Sequence, residues 1–192
     1  RRALDEASTT GEKLALIVFD LDHLKLVNDT LGHDAGDHLI RSVATRMHDA
    51  LAGDGLIARL GGDEFGIVLR HVEGRHAAVR RAKELSAALD EPLAYQGQTI
   101  DCRASMGLTV FPTDSRAPDE LLKNADLALY AAKSEKRGSL IPYRLHMRSE
   151  LRQRVRARDS VRRCLAEDRL LPFYQPQIDL LTGRVTGFEA LL

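Results

Sequence analysis

The sequence predicts an α+β fold, in which helices pack on a partly antiparallel sheet. Three observations lead to this prediction. Short apolar runs bounded by polar residues alternate with longer stretches whose apolar residues recur every three or four positions. A pair of glycines joins two of the short runs, as in a hairpin of antiparallel strands. Hydrophobic residues make up 44% and the formal net charge is zero, which favours a packed core and argues against a nucleic-acid binder.

The first part of the chain contains a helix end, a strand and a long helix. Residues 3–8 are typical of the end of a helix, and the unbroken apolar run 14–19 predicts a buried strand. Residues 34–52 predict an amphipathic helix, because their apolar positions follow helical spacing and Gly53 ends the pattern. The predicted core positions of this helix are Leu39, Ile40, Val43, Met47 and Leu51.

The same reasoning continues through the middle of the chain. The predicted elements are strands at 56–60 and 65–70, a helix over 79–89, a small hairpin at 93–95 and 99–101, a strand at 103–111 and a helix from Pro118. Gly61-Gly62 supplies the turn of the first hairpin, since glycine accepts a positive φ at low cost. Pro118 suits the first turn of a helix, whose predicted apolar face comprises Leu121, Leu122, Ala125, Ala128, Leu129 and Ala132. The order β, α, β-hairpin, α, β, α favours a ferredoxin-like centre.

The composition changes after Tyr143. Residues 144–169 are rich in arginine and contain neither glycine nor proline, which predicts one long helix. We interpret it as a solvated linker rather than a nucleic-acid arm or a membrane-surface helix, because acidic residues interrupt the basic ones. Two strand-like segments follow. We therefore expect three parts: residues 1–143, the linker 144–169 and a short piece, 170–192.

Carboxylates stand beside two of the predicted strand ends. Asp20 follows the first buried strand, and Asp63-Glu64 follows the double glycine. Adjacent acids repel each other unless a cation lies nearby, and if the two strands are neighbours, Asp20 and Asp63 converge. Carboxylate and phosphate oxygens are the ligands that Mg²⁺ prefers, so the pattern indicates nucleotide chemistry. A solvated strand end with a helix cap is the alternative interpretation of Asp20 alone.

Three separated segments resemble the GGDEF family of diguanylate cyclases. Residues 19–37 are similar to the family's D-x-D-x-F-K-x-x-N-D-x-x-G-H-x-x-G-D pattern, with Leu24 in place of an aromatic residue. Residues 59–65 carry the whole signature, Arg-Leu-Gly-Gly-Asp-Glu-Phe, and residues 126–137 resemble the family's last helix. The resemblance covers roughly residues 1–143 and implies a central sheet of the polymerase-palm type.

The resemblance implies a metal site and a catalytic acid. Asp20, Asp63 and the Leu21 carbonyl would hold two Mg²⁺ or Mn²⁺ ions per active site. Such ions bridge the triphosphate and lower the pKa of an attacking hydroxyl group. Either Glu64 or Asp63 would assist deprotonation of that hydroxyl, and the sequence leaves this choice open.

The resemblance also implies a GTP site. Asn28 and Asp37 would read guanine, because a carboxylate accepts from both N1–H and the 2-amino group, a donor pair that adenine lacks. Lys133 and Arg137, four apart at a predicted helix end, would hold phosphates, although alone they would only complement the helix dipole. His33 is either a packing residue under the site or a substrate contact. The further substrate-binding residues are Lys25, Gly61 and Gly62.

The implied activity is condensation of two GTP molecules into cyclic di-GMP, with release of two pyrophosphates. This is a nucleotidyltransferase reaction of bacterial signalling. Each domain would hold one GTP, so a second GGDEF domain must face the first, in a homodimer that can be transient. The alternative is a regulatory GGDEF module that binds GTP without turnover and controls an attached phosphodiesterase.

Two stretches bear on regulation and on the longer protein. Many family members carry a product-binding R-x-x-D site before the signature, and here its two positions are Ala52 and Gly55, so we expect no product inhibition through it. Residues 174–176, 182–184 and 187–192 resemble the opening of an EAL phosphodiesterase domain, with Glu189 matching a metal ligand. This piece is too short to be active, and it implies a tandem GGDEF–EAL parent protein.

The sequence predicts a cytoplasmic segment that makes no membrane contact. It contains neither a signal-peptide pattern nor an apolar run long enough to span a bilayer. Cys102 and Cys164 lack zinc-site spacing and are interpreted as reduced thiols. A parent protein anchored in a membrane through preceding segments is compatible with this expectation.

Overall fold

The structure is a computed structural model that describes residues 2–167, 169 and 171–191. The chain divides into two compact units, Arg1–Met147 and Arg148–Leu192. Four residues on which predictions fall lie outside the described residues: Arg1 of the predicted cyclase domain, Asp168 of the predicted linker helix, and Leu170 and Leu192 of the EAL-like piece.

The described residues form helices and strands in mixed order. Their bounds are α1 (Arg2–Thr10), β1 (Leu14–Leu21), α2 (Leu24–Leu31), α3 (His33–Leu51), β2 (Gly55–Gly61), β3 (Glu64–Leu69), α4 (Arg75–Ala87), β4 (Leu93–Tyr95), β5 (Gln98–Ile100), β6 (Ala104–Phe111), α5 (Pro118–Glu135), β7 (Leu140–Pro142), α6 (Met147–Ala166), β8 (Phe173–Ile178) and β9 (Val185–Leu191).

A five-stranded sheet of order β2-β3-β1-β6-β7 forms the centre of the first unit. Its pairs are antiparallel except for β6 and β7, which are parallel. Alternate residues of a strand point to opposite faces. Ile17 and Phe19 of β1 therefore join one core with residues of α3 and α4, while Val18 packs with Ala125 and Leu129 of α5. The predicted mixed fold with helices flanking a partly antiparallel sheet is confirmed.

Two elements were not predicted from the sequence. Helix α2 has only eight residues, and β7 has three and ends at a proline. Strand β7 exists because it pairs with β6, and it forms one edge of the sheet. The predicted core of α3 is buried at all five positions. On α5, however, Leu122 is exposed and the prediction for it was wrong, because it flanks the stripe that Leu121 and Ala125 form against the sheet.

The second unit pairs β8 with β9 in an antiparallel hairpin. Helix α6 is shorter than the predicted linker helix at both ends. Several large apolar side chains of this unit are exposed: Leu171, Phe173, Tyr174, Leu180, Leu181 and Phe188. Among the described residues, no helix combines the length and the apolar character that crossing a bilayer would require.

The two cysteines differ in burial. Both are free, but Cys102 is only 4% exposed and Cys164 is half-buried. Burial raises the pKa of the Cys102 thiol to about 11. At pH 8 about one Cys102 in a thousand is then a thiolate, the reactive form. We expect iodoacetamide to label Cys164 in the native chain and Cys102 only after unfolding in urea, as mass spectrometry of digested samples can measure. Equal native labelling of both would contradict this burial.

Candidate functional site

The candidate site is built where β1 and β3 lie side by side. Their register places Asp20 opposite Glu64, and the Leu21 N–H donates to the Asp63 carbonyl over 3.1 Å. Behind them, the rings of Phe19 and Phe65 stack with centroids 5.0 Å apart. Both rings are buried, so this contact fixes the two strands below the acidic residues. Asp20 and Asp63, which the sequence predicted to converge only if their strands were neighbours, are brought together.

Asp20 is a buried carboxylate with a cation beside it. The Lys133 ammonium of α5 lies 2.6 Å from Asp20 Oδ2. Burial raises the pKa of Asp20, Lys133 opposes this shift, and the charge of Asp63 adds to it. A carboxylate whose pKa is raised by burial and by a neighbouring negative charge is a place where a cation is stabilised. The structure thus gives Asp20 an electrostatic environment suited to a positive charge.

The oxygen atoms of Asp20, Asp63 and the Leu21 carbonyl suit a hard cation whose remaining ligands come from a substrate. Within the described part of the chain, no three His, Cys, Asp or Glu side chains are grouped as a metal site. Asp20 and Asp63 would supply two side chains, and the Leu21 carbonyl is the further predicted oxygen. Mg²⁺ is commonly held by one or two carboxylates together with phosphates and water, rather than by a complete protein cage. The residues present fit that mode of binding.

An open groove of about 440 Å³ lies next to the acidic pair. Helices α2 and α3 form one wall and the β2–β3 turn forms the other. The predicted site residues that line it are Lys25, Asn28, His33, Asp37, Gly62 and Asp63. His33 is exposed at the start of α3, so it does not pack under the site. Asp37 is exposed as well and lies 3.6 Å from Arg41.

Gly36 is a residue of the groove to which the sequence assigned no role. A Cβ on Gly36 would lie under 3.0 Å from both Oδ1 and Cγ of Asn28. Asn28 can keep its position only because residue 36 has no side chain. The Gly-Asp pair at 36 and 37 was visible in the sequence, but the contact depends on how α2 crosses α3.

The β2–β3 turn presents its acids through a specific backbone geometry. The Arg59 guanidinium donates to the Gly62 carbonyl through Nε at 2.9 Å and through a terminal nitrogen at 2.7 Å. Gly62 has a φ of 53°, whereas Gly61 still belongs to β2. Glu64 is exposed, and besides burial its charge raises the pKa of Asp126 on α5. Arg59 and Asp126 are neighbours of the site, and the sequence assigned no role to either residue.

Lys133 and Arg137 do not share a helix. Helix α5 ends at Glu135, and Lys136 is extended with a φ of −158°. Arg137 therefore lies in the turn before β7, and the prediction that it sits on the helix was wrong. Gly138 follows with a φ of 72°, a left-handed conformation that glycine adopts at low cost. Lys133 stays on α5 and contacts Asp20.

The first position of β2, Gly55, has no room for an acidic side chain. A Cβ on Gly55 would lie 2.5 Å from the Val68 carbonyl oxygen. Ala52 has a φ of 50° and forms the C-terminal cap of α3. The two positions that correspond to the product-binding motif are therefore fixed by local backbone geometry: Ala52 ends α3, and Gly55 packs against the backbone of β3.

Comparison with known proteins identifies relatives of the first unit. Residues 1–139 match the family model described as "Diguanylate cyclase, GGDEF domain". The crystal structure of the GGDEF domain of PA1120 (YfiN or TpbB) from Pseudomonas aeruginosa is 36% identical, with a TM-score of 0.72. That similarity covers 75% of this chain and 90% of the PA1120 chain.

Two curated relatives, both from Pseudomonas aeruginosa, match almost the whole chain. The cyclic di-GMP phosphodiesterase NbdA is 35% identical over 98% of this chain and 24% of its own length. The bifunctional diguanylate cyclase/cyclic di-GMP phosphodiesterase MucR is 32% identical over 100% of this chain and 28% of its own. This chain spans about a quarter of the length of these relatives.

Proposed function

This chain belongs to the GGDEF family, and on that premise we propose that it is a diguanylate cyclase, which condenses two GTP molecules into cyclic di-GMP. The observation that carries the proposal is the position of Asp20 and Asp63 beside a groove lined by Asn28 and Asp37. A cation-binding pair of carboxylates thereby adjoins groups that can read a base. The rest of the proposal assigns a task to each of these residues.

The acidic residues act at the reacting end of the substrate. Asp20, Asp63 and the Leu21 carbonyl would hold two Mg²⁺ or Mn²⁺ ions, which supply charge neutralisation of the triphosphate and a lower pKa of the 3′-hydroxyl. Glu64 or Asp63 accepts the proton of that hydroxyl. The 3′-oxygen forms a bond to the α-phosphorus of the second GTP, the bond to the bridging oxygen breaks, and pyrophosphate leaves. A second round closes the ring.

The groove residues select and hold GTP. Asp37 accepts from guanine N1–H and the 2-amino group, and Asn28 adds a donor and an acceptor for the base edge. Lys133 and Arg137 bind phosphate oxygens, and Lys133 is well placed because it already lies beside Asp20. Lys25, His33 and the backbone at Gly61 and Gly62 complete the substrate contacts in this proposal.

The reaction requires two copies of the site. Each domain holds one GTP, so two GGDEF domains face each other, at least transiently, in a homodimer. No nucleic acid or membrane is needed as a partner, and we propose a cytoplasmic location, where GTP is available.

A direct assay of product tests the proposal. The purified chain is incubated with GTP and Mg²⁺, and the nucleotides are separated by chromatography. We expect cyclic di-GMP and pyrophosphate from the chain and none from Asp63→Ala. GTP binding without any product would overturn the cyclase and favour the alternative function, a regulatory module without turnover.

The relatives give that alternative a specific basis. NbdA is named as a phosphodiesterase, MucR is named as bifunctional, and both match this chain along nearly all of its length.

We propose the boundaries 1–143, 144–169 and 170–192, with the last part as the start of an EAL domain in a tandem GGDEF–EAL parent. The exposed Phe173, Tyr174 and Phe188 support this, since such apolar surface is usual where another part of a domain packs. Glu189 would be a metal ligand there, but this piece is too short for turnover.

Gly36→Ala should weaken GTP binding without unfolding the chain. The new methyl group would meet Asn28 Oδ1, a side-chain end that can rotate away from the groove. Losing one base-reading side chain should cost about tenfold in GTP affinity, since a well-made hydrogen-bond pair contributes about 1–2 kcal/mol. Titration calorimetry measures the affinity and thermal unfolding measures the fold. Unchanged GTP affinity would contradict the assignment of Asn28.

Product inhibition through residues 52–55 should be absent. Ala52 and Gly55 cannot form the charged pair, and Gly55 has no space for a side chain. Initial rates measured with added cyclic di-GMP should fall only through competition with GTP. Sub-micromolar inhibition that disappears when residues 52–55 are replaced would contradict the prediction.

A further inference from the structure

Asp22 is a buried carboxylate that the proposed mechanism does not use. It lies just past β1, and its N–H extends the ladder by donating to the Arg103 carbonyl over 2.9 Å. Only 5% of the residue is exposed, and Asp22 is not among the residues that line the groove beside Asp63. A carboxyl group at such a depth needs specific hydrogen-bond partners.

The partners of Asp22 come from two distant segments. The Ser105 hydroxyl of β6 lies 3.0 Å from each carboxylate oxygen, and the Gly138 N–H donates to Oδ2 over 2.9 Å. Gly138 N also lies 3.1 Å from the Ser105 hydroxyl oxygen, which closes a three-membered network. One carboxylate thus joins the end of β1, the start of β6 and the turn between α5 and β7.

That turn carries Arg137. On one side, the Lys136 N–H donates to the Ala132 carbonyl at the end of α5, and on the other, the Ser139 carbonyl accepts from Met106. Arg137 itself is exposed, and in the described part of the chain its side chain has no hydrogen bond or ion pair. Its position therefore depends on the backbone of the turn. In the middle of the turn, the Gly138 N–H contacts Asp22 Oδ2 and the Ser105 hydroxyl oxygen.

We propose that Asp22 is a positioning residue, whose hydrogen bonds to Gly138 and Ser105 hold Arg137 at the phosphate end of the site. The inference rests on the proposed function, because it assumes that Arg137 binds a phosphate of GTP. Hydrogen bonds to a charged acceptor are shorter and stronger than neutral ones. A displacement of about 1 Å in a substrate-positioning group is enough to lower reactivity strongly.

Binding measurements separate this role from a structural one. GTP and guanosine are titrated by NMR into the whole 192-residue chain, with Mg²⁺ and again with EDTA. The variants are Asp22→Asn, Asp22→Ala, Arg137→Ala and the double variant, with the exposed Asp49→Asn of α3 as a matched control. Guanosine has no phosphate, so its affinity depends on the base-reading side of the groove alone.

We expect Asp22→Ala to weaken GTP binding about tenfold, in the range of a lost charge-assisted hydrogen bond, and to leave guanosine binding unchanged. Asp22→Asn should restore part of the affinity, because its amide oxygen can still accept from Gly138. The loss should persist in EDTA, and the double variant should bind GTP no more weakly than Arg137→Ala. Asp49→Asn should bind both ligands normally.

Other outcomes would overturn the inference. Equal weakening of GTP and guanosine would mean a general effect on the fold, and a loss confined to Mg²⁺ would mean that Asp22 acts through the metal. Additive losses in the double variant would mean that Asp22 acts independently of Arg137. If the unmutated chain bound guanosine but not GTP, the proposed function itself would fail, and the role of Asp22 with it.

Discussion

Replacing Asp20 with asparagine should lower the rate of cyclic di-GMP formation about 10³-fold or more, without lowering the thermal stability of the chain. The loss of activity follows from the mechanism, since one of two carboxylates for the metal ions becomes a neutral amide. Chromatographic assay of product with saturating GTP and Mg²⁺ measures this effect.

The expected stability follows from the burial of Asp20. Burial, with the charge of Asp63 added, raises the folded-state pKa of Asp20 above its unfolded value, against the opposing effect of Lys133. The protonated carboxyl therefore stabilises the fold at acid pH, and this contribution is lost as the pH rises through the folded-state pKa. At pH 7 the ionised form is a cost to folding, which asparagine removes, as is common for groups kept for function.

Thermal unfolding in EDTA should accordingly show no decrease in the midpoint for Asp20→Asn at pH 7. Asp49→Asn, an exposed acid of α3, is the matched control and should keep both activity and midpoint. An Asp20→Asn chain that retained more than a tenth of the activity would not depend on a metal at this carboxylate. A fall in the midpoint would mean that the ion pair with Lys133 outweighs the burial of Asp20.

Gly107→Ala should destabilise the first unit by about 3 kcal/mol or more. Gly107 lies in the middle of β6, against helix α5. An added Cβ would lie under 3.0 Å from the Ala125 carbonyl oxygen and the Leu129 nitrogen, which are backbone atoms of that helix. A backbone cannot rotate aside as a side chain can, so the helix must move off the sheet. Overpacking a core costs about 1–3 kcal/mol, and backbone clashes belong at the upper end or above.

Urea unfolding measures this effect as a lower midpoint with an unchanged slope. Gly74→Ala is the matched control, because its Cβ would meet no atom closer than Lys13 Nζ, at 4.0 Å. It should cost less than about 1 kcal/mol, the usual limit for such a position at a helix start. A loss below that level for Gly107→Ala would show that α5 does not pack on β6 as closely as described.

Regular, strongly patterned elements could be predicted from the sequence. Strand β1 and helix α3 have unambiguous apolar periods, and the glycine pair marked the β2–β3 turn. Helix α2 was missed because eight residues carry too few turns for a helical period to be recognised. Strand β7 was missed because three residues have no pattern of their own and depend on pairing with β6.

The site could be predicted only as far as residue types and spacing allow. The acids at 20 and 63 were identified, but their approach depends on β1 pairing with β3, a long-range feature. The Lys133–Asp20 ion pair and the Gly36–Asn28 contact depend on how helices pack, which no local pattern encodes. Arg137 was assigned to a helix because its spacing from Lys133 is helical, whereas α5 ends at Glu135 and the extended backbone of Lys136 breaks the helical geometry before Arg137.

The central claim is that one site combines metal ions at Asp20 and Asp63 with guanine at Asn28 and Asp37. A crystal of the chain grown with Mn²⁺ and a non-hydrolysable GTP analogue tests it, through an anomalous difference map at the manganese edge. We predict anomalous peaks within about 2.5 Å of both carboxylates, the usual range for such ligands, and a guanine ring against Asn28 and Asp37. Manganese away from these carboxylates, or the base bound outside this groove, would contradict the account.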